Sequence, residues 1–259
     1  MVESQPAADP RLQRGALSGA DRWRRIGGLM VGLVALFGLG LVLSTRFMGE
    51  PPPSFELDVG GRLVVLPFAT EGARGDGWQT WGLAALATEG LAANASLEVV
   101  PLGRLHGALE MRQLAEDPAD RPRLRQLAAA LGGESVIDVR SRRSDGRFRL
   151  EVEVYRQGRS GGAQSFEADN PMEATGLLIA ALADRVLGPV ARVPLEQVMP
   201  ADPFVRRLYA EGVSRSMADG AADARPYFEI ALRHAPNFAL ARLRLVESLR
   251  LGGEIEAAS

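Results

Sequence analysis

The chain has 259 residues, a formal net charge of -2 and no cysteine. The near-neutral balance argues against nucleic acid as a partner, because such binders are usually basic. The lack of cysteine excludes disulfides and thiolate metal sites and suits a compartment where stray thiols oxidise.

Residues 1–25 form a polar tail in which Arg11, Arg14, Arg22, Arg24 and Arg25 precede an apolar run. No charge occurs between Ile26 and Leu43. An uncharged helix of about 18 residues rises about 27 Å, against about 30 Å for a hydrocarbon core. The expectation is a transmembrane helix over 26–43, followed by a Pro-rich linker over 44–58. The excess of arginine before it sets a single-pass inner-membrane orientation, with the amino terminus cytoplasmic and the bulk periplasmic. A cleavable signal peptide is the rival reading, but it would have a shorter apolar stretch and an A-x-A-like site, for which "VLSTRFMGE" is a poor match. Gly28 and Gly32 form a G-x-x-x-G that would let two such helices pack as a homodimer. Glycine is common in membrane helices anyway, so lipid tolerance is the preferred explanation of the pair and dimerisation the lesser one.

About two hundred residues remain, room for one sizeable domain and a small one. "GRLVVLPF" (61–68) reads as a buried strand stopped by proline. After the loop "ATEGARGDG", Leu83, Leu86, Ala87, Gly90 and Leu91 recur at helical spacing. "SLEVVP" reads as a second strand, and two helical stretches follow. The later one starts at "DRPRL", with Asp120 placed to cap, Pro122 in the first turn and Leu124, Leu127, Ala128 and Leu131 facing inward.

In "ESVIDVRSRRSDGRFRLEVEVY", Asp145-Gly146 signals a type I′ hairpin. That turn sets Val139 opposite Val152 and Ile137 opposite Val154, with Arg140 facing Glu151 and a like-charge pair, Arg142 and Arg149. "AQSFEAD" reads as a further strand. Asn170-Pro171-Met172-Glu173 has the cap, first-turn proline and acid of a helix start, and that helix ends at "LGP". The order β-α-β-α-α-β-β-β-α predicts a mixed sheet covered by helices, an α/β domain over 59–190.

Residues 203–259 resemble tetratricopeptide repeats, whose period is about 34 residues. Gly212, Ala224, Phe228, Ala231 and Pro236 fall on the Gly, Ala, Phe, Ala and Pro positions of that pattern. The small residues would let two helices approach, with Phe228 filling the gap beside them. Glu211, Arg215 and Val246 depart from the pattern, and the second repeat is incomplete. An unfinished pair leaves an apolar flank open, so either the chain is a fragment of a larger kinase or transcription regulator, or the helix over 239–251 acts as a cap.

The strand "RLVVLPF", the helix "GLAALATEGL", the hairpin "RSDGRFRLEVEVY" and the helical repeats together resemble the extracytoplasmic half of bacterial membrane-anchored regulators. In that group, a TolB amino-terminal-like α/β domain and tetratricopeptide repeats follow one membrane helix, as in receptor-type serine/threonine kinases and acid-sensing transcription activators. The fold class expected is thus an α/β domain with a mixed sheet, preceded by one transmembrane helix and followed by an all-α segment of tetratricopeptide type. The resemblance implies a sensory or scaffolding module acting through protein contacts in signal transduction. The alternative is a periplasmic envelope-assembly scaffold. If the repeat packs in the family manner, Arg206, Tyr209, Val213, Ser216, Leu243 and Glu247 line a concave face for a peptide or partner helix. The competing reading packs these residues on the α/β domain.

No enzyme, metal or cofactor is expected. The two histidines, His106 and His234, are separated and lack clustered acids. "GARGDGW" lacks the Gly-Lys-Ser/Thr ending of a phosphate loop, and no G-x-S-x-G elbow or kinase motif occurs. Asn94-Ala95-Ser96 matches a glycosylation acceptor but reads as a turn. A hydrolase or transferase stays open only as a third reading without an assembled site.

Overall fold

The computed structural model describes residues 61–71, 77–112, 120–188 and 191–251. Strands β1 (Leu63–Val65) and β2 (Ala69–Thr70) precede helices α1 (Gly77–Ala92), α2 (Leu102–Met111) and α3 (Arg121–Ala130). Three ten-residue strands follow: β3 (Ser135–Ser144), β4 (Arg147–Arg156) and β5 (Arg159–Ala168). Helices α4 (Pro171–Leu187), α5 (Leu195–Val198), α6 (Pro203–Ala218), α7 (Ala221–His234) and α8 (Ala239–Leu251) complete the described chain.

The sheet order is β1-β3-β4-β5, with β2 also on β3. The short strands β1 and β2 run parallel to β3, whereas β3, β4 and β5 form an antiparallel meander. Parallel pairing demands a long crossover, and α1 to α3 supply it. The sheet is therefore mixed, as its sequence order implies. The strand expected at "SLEVVP" shrinks to one parallel bridge between Val99 and Leu63. Two hydrogen bonds hold it, Leu63 N–H to Glu98 O at 2.7 Å and Val100 N–H to Leu63 O at 2.8 Å. Pro101 ends the pairing, having no N–H to continue it. Conversely β2 emerges inside what reads as loop, held by Ser141 Oγ donating to Thr70 Oγ1 at 3.1 Å.

The first hairpin adopts the register read from its turn, with Val139 facing Val152 and Ile137 facing Val154. Asp145 (φ 53°) and Gly146 (φ 78°) take the two left-handed positions of a type I′ turn. The like-charge pair Arg142 and Arg149 is relieved by acids on either side, one diagonal and one directly across the next strand pair. Arg142 pairs with Glu151 at 2.7 Å, and Arg149 with Glu167 on β5. Gln157 (φ 49°) and Gly158 (φ 76°) form a second such turn, between β4 and β5, that the sequence reading did not anticipate.

Helix starts follow their caps. Asp120 accepts from Arg123 N–H at 3.3 Å and Asn170 from Glu173 N–H at 2.9 Å, each followed by a first-turn proline. Helix α1 is buried nearly all round, from Trp81 through Leu91. It lies between β1, α4 and α6, which explains why it lacks a polar face. Each fully buried leucine in it, such as Leu83 or Leu91, contributes about 1.5–3 kcal/mol.

The expected fold class is corrected in one respect. Among the described residues no helix is long and apolar enough to cross a membrane. The longest, α4, has 17 residues and carries Glu173, Asp184 and Arg185. The span expected at 26–43, with Gly28 and Gly32, lies outside the described residues. The fold is described as an α/β mixed sheet with helices, without the leading membrane helix. The single-pass inner-membrane placement, amino terminus cytoplasmic and bulk periplasmic, goes with it, since no described helix can carry it.

Candidate partner-binding surface

The helical segment starts from Asp202, whose carboxylate accepts from Phe204 N–H at 2.8 Å. Helices α6 and α7 form a close antiparallel pair because Gly212 has no side chain. A Cβ there would lie 2.6 Å from Phe228 Cε1. Phe228, Ala224 and Ala231 are fully buried beside it. The small residues thus act as their spacing implies, and Phe228 fills the gap they leave.

The pair is then seated on the α/β body. Gly82 of α1 abuts the Ala210 backbone so closely that a Cβ would sit 2.4 Å from Ala210 O. Ser214 Oγ donates to Gly77 O at 3.0 Å, and the Arg207 guanidinium lies 5.3 Å from the centre of the Trp78 ring. Asn94, 2% exposed, caps the far end of α1 and accepts from Val193 N–H at 2.7 Å. The Asn94 of the glycosylation-acceptor match is therefore buried, in a turn whose Ala95 and Ser96 are exposed.

This seating separates the six residues read as one concave face. Tyr209 and Val213 are sealed in the core. The Tyr209 ring packs 5.1 Å from Phe238 and 6.0 Å from Phe228, and burial pushes its phenol well above the ordinary tyrosine range. Arg206 is half-buried, donating through Nε to Pro200 O at 2.6 Å with Glu196 at 3.5 Å. It lines a cleft of about 300 Å³ with Met172, Gly176 and Leu195. Ser216 is half-buried. Leu243 and Glu247 alone face outward, on α8. Tyr209 and Val213 are thus buried, Tyr209 against Phe228 and Phe238 of the helical segment itself.

Helix α8 presents what remains accessible. Leu243 is 54% exposed, Val246 51% and Leu251 77%, an apolar arc interrupted by Glu247 and Arg250. The opposite side of α8 is anchored: Arg244 donates to Glu89 Oε1 on α1 at 2.9 Å and to Glu247 Oε2 at 3.0 Å.

Sequence reasoning missed a buried ionic cluster elsewhere. Asp138, in the middle of β3, takes both Arg121 Nε and Arg125 Nη1 at 2.9 Å. Arg121 also donates to Pro67 O at 2.7 Å, and Arg125 stacks 4.1 Å over the Tyr155 ring. Burial and a hydrogen bond with Glu153 raise the Tyr155 phenol above its ordinary value. The signal was present: an acid inside "SVIDV", a run buried on both faces, requires cations. Arg121 and Arg125 stand one helical turn apart to supply them. The cluster borders a cleft of about 520 Å³ and pins α3 to the sheet.

His106 stacks edge-on against Trp81 at 4.9 Å, and His234 against Phe204 at 5.2 Å. His106 is a packing position, whereas His234 and Phe204 meet at the surface, both exposed. Among the described residues no group of three or more His, Cys, Asp or Glu side chains gathers to hold a metal ion.

No protein-family model matches the chain, and no curated protein matches it. Solved structures similar to parts of it include the LpoB carboxy-terminal domain from Salmonella enterica, 17% identical over 44% of this chain and 87% of that one, with a TM-score of 0.34. Lipoprotein GNA1162 from Neisseria meningitidis is 17% identical over 49% and 96% (TM-score 0.36). TolB from Acinetobacter baumannii is 13% identical over 51% and 29% (TM-score 0.32). Likenesses this distant carry no argument about function.

Proposed function

We propose that this chain is a non-catalytic protein-binding scaffold for assembly of the bacterial envelope. It would present the outer arc of α8 (Leu243, Val246 and Leu251) to a partner protein. The observation that supports this reading is the contrast between the two sides of α8. The inner side is fixed to α1 through Arg244 and Glu89, while the outer side exposes three large apolar residues. Apolar groups held outward on a fixed mount favour partner contact, because little ordering entropy is lost on binding.

The assembly role is preferred to the signalling role implied by the resemblance to membrane-anchored regulators. A sensor needs an element with two arrangements. Here the helical segment is bound to the α/β body by the Gly82–Ala210 contact, the Ser214 hydrogen bond and the Arg244–Glu89 pair.

A photo-crosslinking residue placed at Leu243 or Val246 in the native host tests the reading. Adducts with a discrete envelope protein are expected at both positions and not at Arg104, an exposed site on α2. Deleting the protein is expected to weaken the envelope while signalling outputs stay unchanged. Equal adducts at all three positions, or none, would sink the reading.

A further inference from the structure

We infer that the cleft beside the Asp138 cluster binds a small organic carboxylate, with Arg125 taking the carboxyl oxygens. The cleft holds about 520 Å³, within the usual range for a small-molecule site. Its floor is one face of the sheet. Val136 on β3 lies directly across from Tyr155 on β4, and Asp138 follows Val136 on the same face. Helix α3 forms the wall, lining the cleft with Pro122, Arg125, Gln126 and Ala129. Their spacing of i, i+3, i+4 and i+7 is a single stripe of the helix. The turn at Gln157 and Gly158 adds a rim.

Arg125 reaches this cleft already fixed and only partly engaged. Its Nη1 donates to Asp138 Oδ2 at 2.9 Å, and its guanidinium lies 4.1 Å over the Tyr155 ring. Among the described residues it has no other partner, which leaves most of its five N–H donors open. The side chain is 24% exposed, so these donors face the solvent of the cleft. A guanidinium held at one nitrogen and on one face keeps its orientation, and its free edge is a planar fork that matches a carboxylate. No neighbouring acid takes that edge. Asp138 is shared with Arg121, Glu153 accepts from the Tyr155 hydroxyl, and Glu134 turns its Oε2 to within 2.7 Å of where a Gly61 Cβ would lie.

The class of ligand follows from the lining. Arg121 is 5% exposed and engaged with Asp138 and Pro67 O. Among the described residues lining the cleft, Arg125 is therefore the one cation. A single fork suits a monoanion, whereas a phosphate dianion would find no second cation. Pro122, Ala129 and Val136 present carbon surface, so the ligand carries an apolar body.

Saturation-transfer NMR on the full chain gives the test, with N-acetyl-leucine as probe and its neutral amide as control. The acid should bind saturably, and the amide about tenfold more weakly, since hydrogen bonds to a charged group outweigh those to a neutral one. A hexapeptide ending in a leucine carboxylate should bind no tighter than the single acid. Arg125→Lys keeps the charge beside Asp138 but loses the fork, and should weaken the acid about tenfold while leaving the amide unchanged. Ala129 is exposed, so Ala129→Met should fold normally, fill the apolar wall and abolish binding with Arg125 intact. Circular dichroism and melting temperature establish that both variants fold. No saturable binding of the acid, equal binding of acid and amide, or an acid indifferent to either substitution overturns the proposal. A hexapeptide that binds much more tightly overturns the small acid in favour of a chain terminus.

Discussion

Arg244 on the last described helix and Glu89 on the first lie 2.9 Å apart, joining segments 155 residues distant in sequence. Both side chains are about a quarter exposed, so solvent screens the pair only in part. Arg244 also closes over the Tyr209 hydroxyl, whose oxygen is buried without a well-formed hydrogen bond. Arg244→Met keeps the aliphatic stem but removes the tie, and should cost about 1–2 kcal/mol, between exposed and buried ion pairs. Hydrogen exchange should quicken mainly in α8. Uniform quickening through α1 and the sheet would mean that the pair holds the whole body and not one helix.

Tyr209 makes stability sensitive to high pH. Burial, followed by the charge of Glu89, raises its phenol above the ordinary value, while Arg244 acts in the opposite sense. The unfolded chain releases this proton near pH 10, where the folded chain still holds it. The folded state then binds more protons, so stability is full below about pH 10 and falls by about 1.4 kcal/mol per unit above it. Tyr155, also raised, adds to the fall. Tyr209→Phe should change stability by less than about 1 kcal/mol at pH 8, because it removes a poorly bonded hydroxyl. Between pH 10 and 11 it should flatten the decline. Urea midpoints at pH 8, 10 and 11 for both proteins decide this.

The Asp138 cluster should behave as a unit. Asp138→Asn leaves Arg121, 5% exposed, without its carboxylate and should cost about 3–5 kcal/mol. A compensated pair, Arg121→Met with Asp138→Leu, removes the two most buried charges together, leaves the partly exposed Arg125 to turn to solvent, and should recover most of that loss. Denaturant unfolding of the two variants measures the difference. If the double variant is as unstable as the single one, packing and not electrostatics governs the site.

The elements written in local chemistry were legible. Asp145-Gly146 specified its turn and, through the period of two, the whole β3–β4 register. Asn170-Pro171 and Asp120 with Pro122 specified helix starts, and Gly212 with Phe228 specified a close helix pair. Relations between distant segments were not legible. Gly82 reads as an ordinary helical glycine until Ala210 is seen against it. Tyr209 and Val213 sit on the face that repeats usually expose, and their burial depends on α8 and the neighbouring packing, which no local pattern encodes. Asp138 lies in an apolar run that calls for a cation, but which arginines answer it is settled only by the docking of the preceding helix.

The two contact glycines should separate hairpin cohesion from hairpin docking. Adding a Cβ at Gly212 meets the edge of the Phe228 ring at 2.6 Å, and the ring can give way only by disturbing Tyr209 beside it. Gly212→Ala should therefore cost about 1–3 kcal/mol, the usual range for overpacking. At Gly82 the obstacle is backbone, Ala210 O at 2.4 Å, which cannot rotate aside. Gly82→Ala must lift α6 from α1 and should cost more, despite the better helix propensity of alanine. Hydrogen exchange distinguishes the two. The Gly212 change should loosen α7 and α8 while leaving the amides of α1 protected. The Gly82 change should loosen α6 to α8 together, including the Ser214 contact with Gly77. Equal losses with the same exchange pattern would show that hairpin and docking surface unfold as one.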